Sequence, residues 1–167
     1  MAENKNNYTL VGMPGAGKST IGVLLAKALG YEFIDTDLVI QRREGKLLKE
    51  IIADAGNDGF KKIEEDVNAS IEASRAVIAP GGSAIYSDKA MKHFREIGTI
   101  IYLKLSYKTV EQRLGDLKAR GVVLKKGQTL YDLYCERAPL YEKYADIIVE
   151  LDHLDIGDSL EKVLENL

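Results

Sequence analysis

The chain has 167 residues and a mass of 18.5 kDa; 46% of its residues are hydrophobic and 29% charged, which excludes disorder and low complexity and suits one domain with a three-layer core. Its net charge of -3 excludes a general attraction to nucleic acid or to an anionic membrane, so any anionic ligand must be met by a local cluster of basic groups. A single cysteine, Cys135, excludes an internal disulfide framework, the opening residues MAENKNNYTL lack the apolar core of a signal peptide, and no apolar run approaches the ~20 residues of a membrane span. A cytoplasmic protein, monomeric and bound to neither membrane nor nucleic acid, is the expectation.

Five short β-branched runs read as strands, at 8–13, 31–37, 75–82, 99–105 and 145–151. Helical patterns fill the intervals, at 18–29, 37–55, 58–73, 87–97, 107–118, 129–144 and 157–167. Alternation of this kind predicts an α/β fold, a mostly parallel sheet with helices on both faces and ligands at the carboxyl ends of the strands.

The first strand leads into GMPGAGKST, residues 12–20, which matches G-x-x-x-x-G-K-[ST] at every fixed position and lies between a strand and a helix. Gly12, Gly15 and Gly17 let the backbone turn its N–H groups inward, and the following helix offers its positive end to the same phosphates. Lys18 supplies a point charge for the β- and γ-phosphates, the Ser19 hydroxyl can ligate Mg²⁺, and Thr20 reaches the α-phosphate side. With Ala16, these residues are the expected nucleotide site.

The second strand ends in DTD. In an extended segment Asp35 and Asp37 project on one face, so two carboxylates converge beside the phosphate loop. One can hold the Mg²⁺ hydration shell, and the other can accept the proton of an attacking hydroxyl. The plainer reading makes Asp37 the N-cap of the next helix.

On the helix at 58–73, Phe60, Ile63, Val67 and Ile71 form an apolar stripe that Glu64 interrupts, with Lys61 on its flank three residues earlier. The two are expected to pair at a pocket edge, while Lys62 faces solvent. The segment EQRLGDLKARGVVLKKG, 111–127, is basic and punctuated by glycine, as a hinged lid would be, and Arg120 is its candidate to close on the phosphates. Arg113, upstream, can lie against an adenine. Arg137 falls among Leu130, Leu133, Tyr134 and Tyr141 at helical spacing, and a guanidinium there needs either a structural carboxylate or an anionic substrate. Cys135 reads as a small packing residue, and His93 and His153 have no second ligand at metal-site spacing.

With the phosphate loop, DTD, GFKKIEE, a PGG turn, KARGVVL and ERAPLYEKYAD in this order, the sequence resembles the shikimate kinase family over residues 8–146. The resemblance implies one P-loop kinase domain over 1–167, with a five-stranded parallel sheet and a lid at about 113–127, transferring the γ-phosphoryl of ATP to the 3-hydroxyl of shikimate with Mg²⁺. It implies that Lys18 and Ser19 bind ATP and Mg²⁺, and that Asp35 supports the metal. Asp37 would meet the accepting hydroxyl, Gly81 and Gly82 would touch the substrate, Arg120 would serve the lid, and Arg137 would bind the substrate carboxylate. Lys61, held by Glu64, would be a second substrate-facing cation. The family usually has arginine at Lys61, glycine at Ser83 and proline-leucine at Gly121 and Val122. A related kinase for another small hydroxylated acid is therefore an alternative reading. A nucleotide-binding module without turnover is a third, which needs neither Asp37 nor Arg120.

Overall fold

The computed structural model describes residues 5–115 and 124–167. In chain order the elements are β1 (Asn7–Val11), α1 (Lys18–Leu29), β2 (Glu32–Asp35), α2 (Thr36–Glu44), α3 (Leu48–Ala69) and β3 (Ala76–Ala79). A 3₁₀ turn at Gly82–Tyr86 follows, then α4 (Asp88–Ile97), β4 (Gly98–Lys104), α5 (Tyr107–Leu114), α6 (Leu130–Tyr144), β5 (Ile147–Glu150) and α7 (Ile156–Glu165).

All five strands run parallel in the order β2-β3-β1-β4-β5. The three inner strands are the most apolar, and residues such as Leu10, Ile78, Ile100 and Ile101 are fully buried, as expected of a sheet covered on both faces. A polar latch closes its amino-terminal edge. Asn7, 1% exposed, donates Nδ2 to Ala73 O and Ile97 O and accepts at Oδ1 from Ala76 N, so burying its amide leaves nothing unpaired. Among the described residues no helix is long and apolar enough to cross a membrane.

The helices depart from the sequence pattern at Gly45 and at the end of α3. The pattern over 37–55 is broken by Gly45 (φ 67°), which ends α2 and accepts the turn that no β-carbon residue takes readily. The expected gap before residue 58 is present as a break at Gly56 (φ 73°, ψ 175°), whose non-helical backbone separates two helical segments of α3, and the second segment ends at Ala69 rather than at 73. As a result α2 and α3 form a bent pair, and the second half of α3 passes beside the carboxyl ends of β2 and β3. Asp35 pairs in register with Ala79, which places the turn after β3 directly next to the start of α2.

Candidate active site

The loop after β1 folds over the first turn of α1. Gly17 takes positive φ (89°) as the N-cap of α1, Ala16 N donates to Met13 O at 3.0 Å, and Ile21 N donates to Gly17 O at 2.8 Å. The result is a backbone concavity at the positive end of a 12-residue helix, suited to phosphate. Lys18 Nζ donates to Gly12 O (2.7 Å) and Met13 O (3.0 Å), so its ammonium is held under the loop. Burial there, reinforced by the positive charge of Arg137 and opposed by Asp37, pulls its pKa down to about 8. Ser19 and Thr20 stand exposed in the first turn. Arg113 donates Nη1 to Gly15 O at 3.1 Å, which puts it at the loop's rim.

The two aspartates converge, but not by strand alternation. β2 ends at Asp35, whose carboxylate caps α2 by accepting from Asp37 N at 2.9 Å, and Asp37 lies inside the first turn of that helix. The N-cap is thus Asp35, not Asp37, because the chain turns helical two residues sooner than an extended DTD requires. The carboxyl of Asp37 is raised above the usual aspartate range, first by burial and then by the charge of Asp35, with Lys18 opposing. A carboxylate made more basic in this way is better matched to taking a proton near neutral pH.

Beside Asp37 opens a cavity of about 400 Å³, lined by residues of α2, α3, the 3₁₀ turn and α6, and by Leu124 and Lys125. The glycines after β3 set its dimensions. A β-carbon on Gly81 would stand 2.8 Å from Glu64 Oε2 and 3.2 Å from Asp37 Oδ1, and one on Gly82 would stand 2.7 Å from Arg137 Nη1. Only bare backbone lets all three side chains approach. Arg137 donates Nε to the Tyr86 hydroxyl at 3.3 Å, and its guanidinium carbon lies 5.6 Å from the centre of that ring. Among the described residues no carboxylate comes within 4.0 Å of it. Although burial opposes its charge, Tyr141 and Tyr86 more than compensate, and its pKa is raised.

The expected pair of Lys61 and Glu64 is not formed. Glu64, 4% exposed, accepts at Oε1 from Ser83 Oγ at 2.5 Å, while the exposed Lys61 turns its ammonium to the Tyr86 ring, 5.4 Å from the centroid. A lysine at the rim keeps its hydration against a ring face, whereas following Glu64 inward would strip it of water. Burial raises the Glu64 carboxyl, the Ser83 hydrogen bond holds it back, Asp37 adds to the rise, and Arg137 and Lys61 oppose it.

Of the expected site residues, Asp37, Lys61, Glu64, Gly81, Gly82 and Arg137 come together in this one cavity, adjoining the loop that carries Lys18. Arg120, Gly121 and Val122 lie outside the described residues. Cys135 is exposed and therefore not the packing residue its helical position suggested, because it falls off the stripe formed by Leu130, Leu133, Tyr141 and Tyr144. Tyr86 and the contact between Ser83 and Glu64 were not foreseen. Tyr86 follows the buried Ile85, precedes Ser87, the cap of α4, and stays 39% exposed, and no local pattern marks it because its partners lie on α3 and α6. The contact of Ser83 with Glu64 spans 19 residues between separate elements, and no periodicity reports it.

Among the described residues no group of three or more acidic, histidine or cysteine side chains could hold a metal unaided. The exposed Ser19 hydroxyl and the Asp35 carboxylate are oxygen donors of the chemistry that magnesium takes, and this hard, strongly hydrated cation draws its other ligands from phosphate and water.

The family model for shikimate kinase matches residues 14–167. A shikimate kinase of Histophilus somni is 42% identical over 156 residues, covering 91% of this chain and 89% of that protein. One from Chlorobium chlorochromatii is 37% identical over 171 residues, covering 95% and 88%. Among solved structures, shikimate kinase from Acinetobacter baumannii in complex with shikimate superposes with a TM-score of 0.84 at 33% identity, covering 98% of this chain and 93% of that one. The enzyme from Aquifex aeolicus gives 0.81 at 28% identity, covering 96% and 95%.

Proposed function

Since the chain belongs to the shikimate kinase family, we propose that it transfers the γ-phosphoryl group of ATP to the 3-hydroxyl of shikimate. Membership makes it a small-molecule kinase; the acceptor, the nucleotide and the residue roles are our reading. The observation that carries the choice of an acidic acceptor is Arg137, a guanidinium set into the cavity wall with no carboxylate of the described chain to neutralise it. A half-buried cation of this kind is completed by an anionic ligand.

In this reading the loop at 12–20 and the N-terminus of α1 hold the phosphates, with Gly15, Ala16, Gly17, Lys18, Ser19 and Thr20 around them. Lys18 leaves its two carbonyl partners for the β- and γ-oxygens, where added negative charge favours its ammonium. Magnesium, when bound by Ser19 and through Asp35, neutralises phosphate charge. Arg137 and Lys61 take the acceptor carboxylate, and the backbone at Gly81 and Gly82 closes against its ring. Asp37 then faces the attacking hydroxyl, orients it and accepts its proton as the new O–P bond forms and ADP leaves. Arg113 borders the nucleotide, and Arg120 is assigned to the lid from the sequence.

Lys61 and Ser83 favour a second reading, a kinase for another small hydroxylated acid. A coupled ADP-release assay over a panel of hydroxy acids, with and without Mg²⁺, tests both. Shikimate at millimolar concentration should give the highest kcat/KM; no stimulation by shikimate would falsify the first reading.

A further inference from the structure

We infer that Tyr86 is a positioning residue for the acceptor, holding Lys61 and Arg137 against one ring so that two cations are presented together to one carboxylate. The inference rests on the reading that this cavity takes the anionic acceptor, and it concerns a residue outside the phosphate loop and the aspartate pair.

Three observations carry it. Lys61 Nζ and the Arg137 guanidinium carbon lie 5.4 Å and 5.6 Å from the same ring centroid, within the distance at which a cation is drawn to an aromatic face. The Tyr86 hydroxyl also accepts from Arg137 Nε at 3.3 Å, which fixes the guanidinium by its inner edge. Finally, the backbone that carries the ring is tied down: Ala84 N donates to Gly81 O at 3.1 Å and Ser87 N to Ala84 O at 3.0 Å, within the 3₁₀ turn at Gly82–Tyr86.

The physical problem that Tyr86 solves is mutual repulsion. Two cations converging on one cavity oppose each other until an anion arrives, and each long side chain has many rotamers to retreat into. A ring quadrupole attracts both without neutralising either, so their charges stay available to an incoming carboxylate. A structural carboxylate in the same place would have consumed them. This also accounts for an aromatic side chain that stays 39% exposed at the rim, lining both the main cavity and a smaller recess of about 90 Å³ behind Lys61 and Glu64.

The test compares wild type, Tyr86→Phe and Tyr86→Ala in steady-state kinetics with shikimate and ATP, alongside the Arg137 Nε–H signal in nitrogen-15 spectra of the acceptor-free protein. Tyr86→Phe keeps the ring and loses the hydroxyl, so the Nε–H signal should shift and exchange faster while KM for shikimate rises about threefold. Tyr86→Ala loses both, and KM for shikimate should rise about tenfold or more with kcat and the KM for ATP within about twofold of wild type. An unchanged shikimate KM in Tyr86→Ala overturns the inference, and so does a parallel rise in both KM values, which would mark a merely structural role. An Nε–H signal unmoved by Tyr86→Phe overturns it as well. Wild-type protein that does not turn over shikimate at all would instead remove the reading of the acceptor, leaving Tyr86 to be judged by the Nε–H signal, which needs none.

Discussion

Ser83 Oγ donates to Glu64 Oε1 across 2.5 Å, and this contact takes the place of an ion pair between Glu64 and Lys61 on the same helix. A hydroxyl from a neighbouring turn therefore fixes the buried carboxylate, and the lysine is free to face the cavity. Ser83→Ala removes the hydrogen bond that holds the Glu64 carboxyl down, so burial pushes it further up and the acid limb of kcat/KM for the acceptor should move to higher pH. At neutral pH a loss of about 10- to 100-fold is expected, the worth of one hydrogen bond to a charged group. Superimposable pH profiles of the two enzymes would refute the role of Ser83.

Gly82→Ala places a β-carbon 2.7 Å from Arg137 Nη1. Because the clash is with the end of a side chain that can swing aside, stability should change little, with Tm within about 3 °C of wild type. The displaced guanidinium should raise the KM for the acceptor about 10- to 100-fold. Thermal melts and acceptor kinetics on the same preparation separate these effects, and a large fall in Tm with unchanged KM would contradict the placement.

Lys18 makes both nucleotide binding and stability depend on pH, in opposite directions. In the nucleotide-free protein its ammonium titrates near pH 8, below the ordinary lysine value of 10.5. As pH rises through about 8 the loop loses that charge, so kcat/KM for ATP should fall by up to about tenfold per pH unit above this point. Stability runs the other way: between about 8 and 10.5 the unfolded chain holds the proton that the folded chain has released, so the Lys18 contribution to stability rises with pH over that window. Lys18→Met should abolish both dependences. Nucleotide affinity that stays flat to pH 10 would show that the lysine is not where phosphate binds.

Asp37→Asn keeps the shape of the side chain and removes its basicity. A loss of kcat of about 10²- to 10⁴-fold is expected, with acceptor and nucleotide affinities nearly retained. In the wild type, the acid limb of kcat/KM should lie above the usual aspartate range because burial and Asp35 both raise the Asp37 carboxyl. Isothermal titration and single-turnover kinetics check the two halves of this statement, and unchanged turnover in Asp37→Asn would take the proton-accepting role from the residue.

The parts of this account legible in the sequence are those carried by local pattern. Alternating runs marked the five strands, and GMPGAGKST between a strand and a helix marked the loop that now holds Lys18. Phe60, Ile63 and Val67 of α3 pack on the core as their spacing requires, with Glu64 buried among them, and Ile71 packs there from beyond the end of the helix. What escaped depends on how separate elements meet. Helical spacing put Lys61 next to Glu64 but carried no information about Ser83, which arrives from the turn after β3. Strand alternation gave the right meeting of Asp35 and Asp37 for the wrong reason, since a capping carboxylate and a helical turn bring them together. Tyr86 was invisible for the same cause: its partners are on α3 and α6, far from it in the chain.

The central claim is that this cavity holds an acidic acceptor by its carboxylate and presents one hydroxyl to the phosphates. The most direct measurement is phosphorus-31 NMR of the product formed from ATP, Mg²⁺ and shikimate, with proton–phosphorus correlation to locate the ester. The account predicts a single phosphomonoester on the 3-hydroxyl, formed at a rate that collapses when shikimate is replaced by its methyl ester. A phosphomonoester on another hydroxyl, or equal turnover of acid and methyl ester, would contradict it.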